Sequence, residues 1–140
     1  MSLFGLLEVS GSALSAQSVR LNTISSNLAN AESVSGSPEA AYRARQPVFS
    51  SVHRQFSDPT SADALVGVRV DRIVESSAVP RKEYAPSHPL ADDDGYIYFG
   101  NVNAVEEMAN MISASRSYQN SVEVMNTSKQ LLLQTLNIGR

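Results

Sequence analysis

At 140 residues the chain suits one domain, or one small domain carried on long terminal elements. Eleven Lys plus Arg against 14 Asp plus Glu give a net charge of −3, which excludes the basic stripe needed to neutralise a nucleic-acid backbone. With 42% hydrophobic residues, no Trp and no Cys, aliphatic side chains must carry the packing, and disulfides and thiolate metal sites are ruled out.

The N-terminal stretch, residues 1–33, carries a leucine repeat. Leu7, Leu14, Leu21 and Leu28 recur every seven residues, with Ile24 and Ala31 filling intermediate positions of the later turns, which predicts a helix. The early intermediate positions fall on Ser10, Gly11, Gln17 and Ser18, poor choices for a seam. Ser and Gly have low helix propensity, so this helix needs a partner. Ser10, Gly11, Ser12 and Ser15 are expected to serve close helix approach. The first nine residues are apolar but lack a positive flank, the first basic residue being Arg20, so a cleaved secretory signal is not expected. No apolar run approaches the ~18–20 residues needed to span a bilayer.

Residues 34–100 change pattern. Ser33 to Pro38 reads as a flexible break, and Val48 to Phe56 as extended or irregular. Val66-Gly67-Val68-Arg69-Val70 alternates with period two and continues through Ile73-Val74, as a strand does. Pro80, Pro86 and Pro89 argue against a continuous helix or a central strand between Val79 and Leu90. Asp94-Gly95 signals a turn into a second β-favouring run, Tyr96-Ile97-Tyr98-Phe99.

Residues 101–140 hold the clearest periodicity. Steps of three and four from Ala104 give Met108, Met111, Ser115, Tyr118, Val122, Met125, Lys129, Leu132 and Leu136, the spacing of a coiled-coil seam. No Pro or Gly interrupts Val102 to Ile138; Asn101 or Asn103 can cap the start, and Gly139 supplies a stop. The expected fold is α+β, mainly α, with the terminal helices paired as a coiled coil around a small β-containing segment with long loops. Helices of about 30 and 35 residues, each roughly 45–50 Å long, exceed what the middle can cover. They are expected to bury further surface against neighbouring chains.

Chemistry-bearing patterns are weak. Asp92-Asp93-Asp94-Gly95 resembles half a calcium loop, but the first and twelfth ligand positions would fall on Leu90 and Asn101, where acids are required. It reads as a solvated turn. His53 and His88 have no metal-ligand partner at helical spacing, and His88, between Ser87 and Pro89, suits packing or hydrogen bonding. Arg43, Arg45 and Arg54 read as surface charges, since no aromatics interleave them. No nucleophile elbow or phosphate-binding glycine loop is present. No catalytic, metal or cofactor-binding residue is expected, no small-molecule substrate and no nucleic-acid partner.

Three segments carry a family resemblance. Ser12 to Ser33, with Asn27-Leu28-Ala29-Asn30 at its core, resembles the N-terminal signature of flagellar rod and hook proteins. Tyr84 to Tyr96, with His88, Pro89, Gly95 and Tyr96, and Asn101-Val102-Asn103 leading into Val105 to Gln119, are similar to the proximal-rod subunits of that family. Gly100 stands where the family pattern has proline, and Ser33 where it has threonine; the first change implies a looser start to the C-terminal helix. The resemblance implies a structural subunit of the basal-body rod in the periplasmic space. Its helices would pack with copies of itself and other flagellar rod proteins into a torque-bearing tube. It also implies export through the flagellar type III apparatus. Another axial subunit of the family and a soluble coiled-coil adaptor remain alternatives.

Overall fold

Helix α1 runs from Leu3 to Ala29 in the computed structural model, which describes residues 3–54 and 65–138. The hydroxyls of Ser12, Ser18 and Thr23 donate back to the carbonyls of Val9, Leu14 and Val19, the local bonding that makes such residues weak helix formers. Tertiary partners compensate. Helix α2, Ala104–Ile138, packs along one side of α1, and a hairpin of β2, Arg45–Arg54, and β3, Leu65–Glu75, packs on another. Among the described elements, α2 packs on α1 alone.

Asn30 ends α1. Its backbone N–H donates to the carbonyls of Ser26 and Asn27, its Nδ2 donates to Ser26 O at 2.8 Å, and its own carbonyl receives the N–H and hydroxyl of Ser33. The carbonyls of Ser26 and Asn27 in the last turn are thereby satisfied. The chain then enters β1, Val34–Ser35, inside the stretch expected to be a flexible break. Backbone pairing with Phe99 and Tyr98 of β5, Tyr96–Phe99, holds it there. Strand β4, Arg81–Tyr84, completes this antiparallel sheet in the order β1-β5-β4. It fits between Pro80 and Pro86 as an exposed edge strand, the place a proline-bounded strand can occupy.

The second sheet is the hairpin. Its register runs from Arg45 opposite Glu75 to Arg54 opposite Leu65, so the stretch expected to be extended or irregular is a strand that begins at Arg45. Val48 pairs with Arg72 and Phe49 with Val70, leaving Asp71 unpaired in a bulge, where it bridges Arg69 and Arg72. The expected end of that stretch at Phe56 and the stop at Gly139 lie outside the described residues.

The Asp-rich segment is a bonded turn. Asp92 Oδ1 accepts from the N–H groups of Asp94 and Tyr96 at 3.0 and 2.7 Å, and Oδ2 accepts the Tyr98 hydroxyl at 3.0 Å. The hydrogen bond from the Tyr96 backbone is the main cause holding the Asp92 pKa below its ordinary value, against a smaller opposing effect of desolvation. Gly95 closes the turn at a φ of +79°, the left-handed region that favours glycine.

Small residues dominate the interior. Among the described residues seven apolar ones are buried, and five of these are alanines: Ala16, Ala31, Ala41, Ala44 and Ala114. The leucines of α1 that form the seven-residue repeat are half-buried. Aliphatic bulk therefore flanks the helix contact, and small side chains occupy its centre.

Candidate assembly surface and the junction that anchors it

Two asparagines fasten the helices to one short backbone segment. Asn27, near the end of α1, is 1% exposed and fully bonded. Its Nδ2 donates to Arg45 O at 2.8 Å, and its Oδ1 accepts from Arg45 N at 2.8 Å and from the Tyr42 hydroxyl at 3.1 Å. Asn101, just ahead of α2, accepts from Ala44 N at 2.6 Å and donates to the carbonyls of Ser76 and Ala78. Its own backbone N–H donates to Tyr42 O. Residues 42–45 thus receive bonds from both ends of the chain, and this junction ties together the end of α1, the start of the hairpin and the entry to α2.

Asn103 caps α2, its Oδ1 accepting from Val105 N and Glu106 N at 3.1 and 3.3 Å. Asn101, the alternative cap, serves the junction instead. Gly100 does not loosen this region. It is buried, and a Cβ there would lie 3.2 Å from Tyr42 O and 3.4 Å from Asn30 O. The chain passes through a gap that a side chain would crowd.

The helix contact corrects the expected seam by one residue. The buried or half-buried row on α2 is Glu107, Met111, Ala114, Tyr118, Ser121, Met125, Ser128 and Leu132. It shares Met111, Tyr118, Met125 and Leu132 with the expected row. On the other flank Glu107, Ala114 and Ser128 are buried where Met108 and Lys129 are exposed, while Ser115 and Val122 of the expected row are half-buried, as is Ser121. Met108 is 47% exposed and Leu136 63% exposed, while Val122 is half-buried. On α1, Ile24 is buried and Leu7, Leu14, Leu21 and Leu28 are half-buried.

The four small residues expected to serve helix approach divide. A Cβ on Gly11 would meet Met125 Cε at 3.9 Å, so Gly11 does face α2. Ser10 is buried. Ser12 turns to the hairpin, accepting from Val68 N at 3.2 Å, and Ser15 is exposed. Tyr42, the backbone at Ala44 and Arg45, and the Ser12 bond to β3 were not singled out in the sequence. The available signal was Asn27 itself: an amide three residues beyond a seam isoleucine has to find partners when buried.

One side of α2 stays uncovered. Val105, Met108, Ile112, Leu133 and Leu136 are exposed, and they fall on two adjacent positions of a seven-residue repeat beside the buried row. They form one patch near each end of α2, with the polar Ser115, Gln119, Asn126 and Lys129 at the same positions between them. Val105 is the extreme, at 72% exposed. Large apolar side chains aligned in this way mark a contact surface more often than isolated ones do.

Remaining motif residues have structural partners. His88 Nδ1 accepts from Leu90 N at 3.1 Å, and the edge of the Tyr84 ring packs on Tyr96 with centroids 5.3 Å apart. Pro89 and Ala29 are exposed, and Val102 is half-buried. Among the described residues no cluster of His, Cys, Asp or Glu could hold a metal ion, and no helix is long and apolar enough to cross a membrane.

Comparison with known proteins follows the same geography. The profile described as "Flagella basal body rod protein" matches residues 7–36, which cover α1 from Leu7 and β1. The profile described as "Flagellar basal body rod FlgEFG protein C-terminal" matches residues 93–138, which cover β5 and α2. Full-length relatives extend the likeness to the hairpin between them. The flagellar basal-body rod protein FlgC of Yersinia enterocolitica is 49% identical over 140 residues, covering 100% of both chains. That of Salmonella typhimurium is 46% identical over the same span and coverage. The chain belongs to the FlgC family of flagellar basal-body rod proteins. A FlgC-family chain is a structural subunit of the rod and not an enzyme, in keeping with the sequence reading.

Proposed function

We propose that the subunit polymerises through its two terminal helices into a helical tubular shaft of the proximal rod, which transmits torque. The observation that carries this reading is the uncovered apolar row Val105, Met108, Ile112, Leu133 and Leu136 on α2. A single chain leaves these side chains in water, and a lattice of parallel subunits would bury them at about 25 cal/mol per Å² of apolar surface. Head-to-tail contacts of this type generate open helical arrays. Such a shaft resists twist because slipping one helix means breaking the whole of its contact row.

In this reading residues 1–33 and 101–140 form the rod core, and residues 34–100 the intervening segment. Leu7, Leu14, Leu21, Ile24, Leu28, Met111, Tyr118, Val122, Met125 and Leu132 pack the paired helices as a coiled coil. Met108 and Leu136 face neighbours. The neighbours are copies of the same chain and other flagellar rod proteins. The chain reaches the periplasmic space through the flagellar type III apparatus, in an unfolded form that suits its weakly self-sufficient helices.

Amide hydrogen exchange tests the assembly claim. In the isolated full-length chain, α2 beyond Arg116 should exchange fast; in purified basal bodies the same amides should be protected. Full protection in the dilute chain would favour a stable soluble coiled coil and remove the need for a lattice.

A further inference from the structure

An open cleft of about 460 Å³ lies between α1, the base of β2 and the first turn of α2, with Arg20, Pro47, Phe49, Glu106, Glu107 and Asn110 among its walls. Glu107 is unusual there. It is 7% exposed, and its carboxylate Oε2 has no hydrogen-bond partner. A carboxylate taken out of water without a partner is costly, and the helix N-terminal dipole offsets only part of that cost.

The nearby cations do not serve it. Arg45 also lines the cleft, but its guanidinium is 3.4 Å from the Glu75 carboxylate and lies over the Tyr42 ring at 5.8 Å. Arg20 makes no ion pair among the described residues. The cleft therefore holds two carboxylates against one guanidinium not otherwise engaged. Its other walls combine the apolar side chains of Ile24, Pro47 and Phe49 with the amides of Gln46 and Asn110. Acceptors at one end and an apolar wall along the approach match a long basic side chain, whose methylene stem packs while its head is bonded.

We infer that this cleft is a socket for a basic side chain of a neighbouring rod subunit, which supplies the partner Glu107 lacks in the single chain. The inference rests on the chain assembling with rod neighbours, and it adds where one contact is made and by what chemistry. Side chains of the required type are present on the outer surface of this chain's own α2: Arg116 and Lys129 are exposed, and neither is in an ion pair among the described residues. Retaining a buried, unpaired carboxylate that weakens the isolated subunit is the pattern expected where function and stability trade against each other.

Glu107→Gln separates the possibilities, because it removes the charge at nearly constant shape. In the isolated full-length chain its melting temperature should equal or exceed that of the parent. Expressed in a motile cell in place of the native copy, the variant should lower the yield of rod-containing basal bodies about tenfold or more, as loss of one partner of a buried charge pair does. Glu106→Gln is exposed and tests the same socket without risk to folding; it should lower the yield about twofold, as for an exposed pair. A fall in melting temperature with Glu107→Gln would assign the carboxylate an internal role and overturn the socket. Parent-like rod yield in both variants would overturn it equally. If the parent chain builds no rods in that cell, the rod-assembly reading falls, and the socket with it.

Discussion

At the junction, Asn27 is buried with every polar atom of its amide engaged, and Asn101 reaches three backbone groups from the other helix. Along α2 beyond Arg116, most side chains are exposed and, among the described elements, only α1 lies against the helix. The two regions answer differently to the requirement that buried groups find partners. The junction satisfies it inside one chain, so it should hold in the isolated subunit. The outer part of α2 leaves its apolar groups unsatisfied, which fits a surface completed by assembly. Stability and assembly are thus written in different places, and substitutions should separate them.

Asn27→Ala should give the largest effect. It strips the partner from Arg45 N, Arg45 O and the Tyr42 hydroxyl at a fully buried site, and should cost about 2–4 kcal/mol in urea unfolding. A loss below about 1 kcal/mol would show that the junction does not anchor the fold. Asn101→Ala should follow at about 1–3 kcal/mol, since its bonds are partly exposed and water can replace some of them.

Acid should act on the turn between β4 and β5. The folded-state pKa of Asp92 is lowered, so its contribution is fully present above the unfolded value near 3.8. That contribution is lost as pH falls through the lower folded value. Parent and Asp92→Asn should therefore differ in unfolding midpoint at pH 6 and converge as the pH falls below 3.8 and through the lower folded value. A gap that widened in acid would contradict the hydrogen-bond assignment.

Leu133→Ser combined with Leu136→Ser should affect the isolated chain least, by within about 0.5 kcal/mol, because both side chains are already exposed. The same pair should abolish rod-containing basal bodies by electron microscopy. If it destabilised the chain as much as Asn27→Ala, the contrast between the two regions would collapse.

Much of this was legible beforehand. The extent of α2 followed from the absence of Pro and Gly between Val102 and Ile138, and β3 and β5 from alternation and β-branched or aromatic content. β1 was not legible, because two residues cannot display a period and their pairing with Tyr98 and Phe99 spans more than 60 residues. The Asn27 junction was visible only as part of a motif. Its bonds go to backbone groups at Arg45, whose identity as bonding partners no side-chain pattern encodes.

The α2 seam marks the boundary most clearly. The sequence by itself determined that a helix exists there and that Met111, Tyr118, Met125 and Leu132 lie on its contact row, since a period of 3.5 residues is a property of the chain alone. Two flanks were then available. Hydrophobicity favoured the flank of Met108 and Val122; the structure buries Glu107, Ala114 and Ser128 on the other flank and half-buries Ser115, Ser121 and Val122 alike. Only tertiary packing decided between them, because small side chains let two helices meet closely whereas bulky ones hold them apart, and that preference exists only once the partner is in place. The flank left outside, with Met108 and Leu136 exposed, is the surface on which the assembly reading rests.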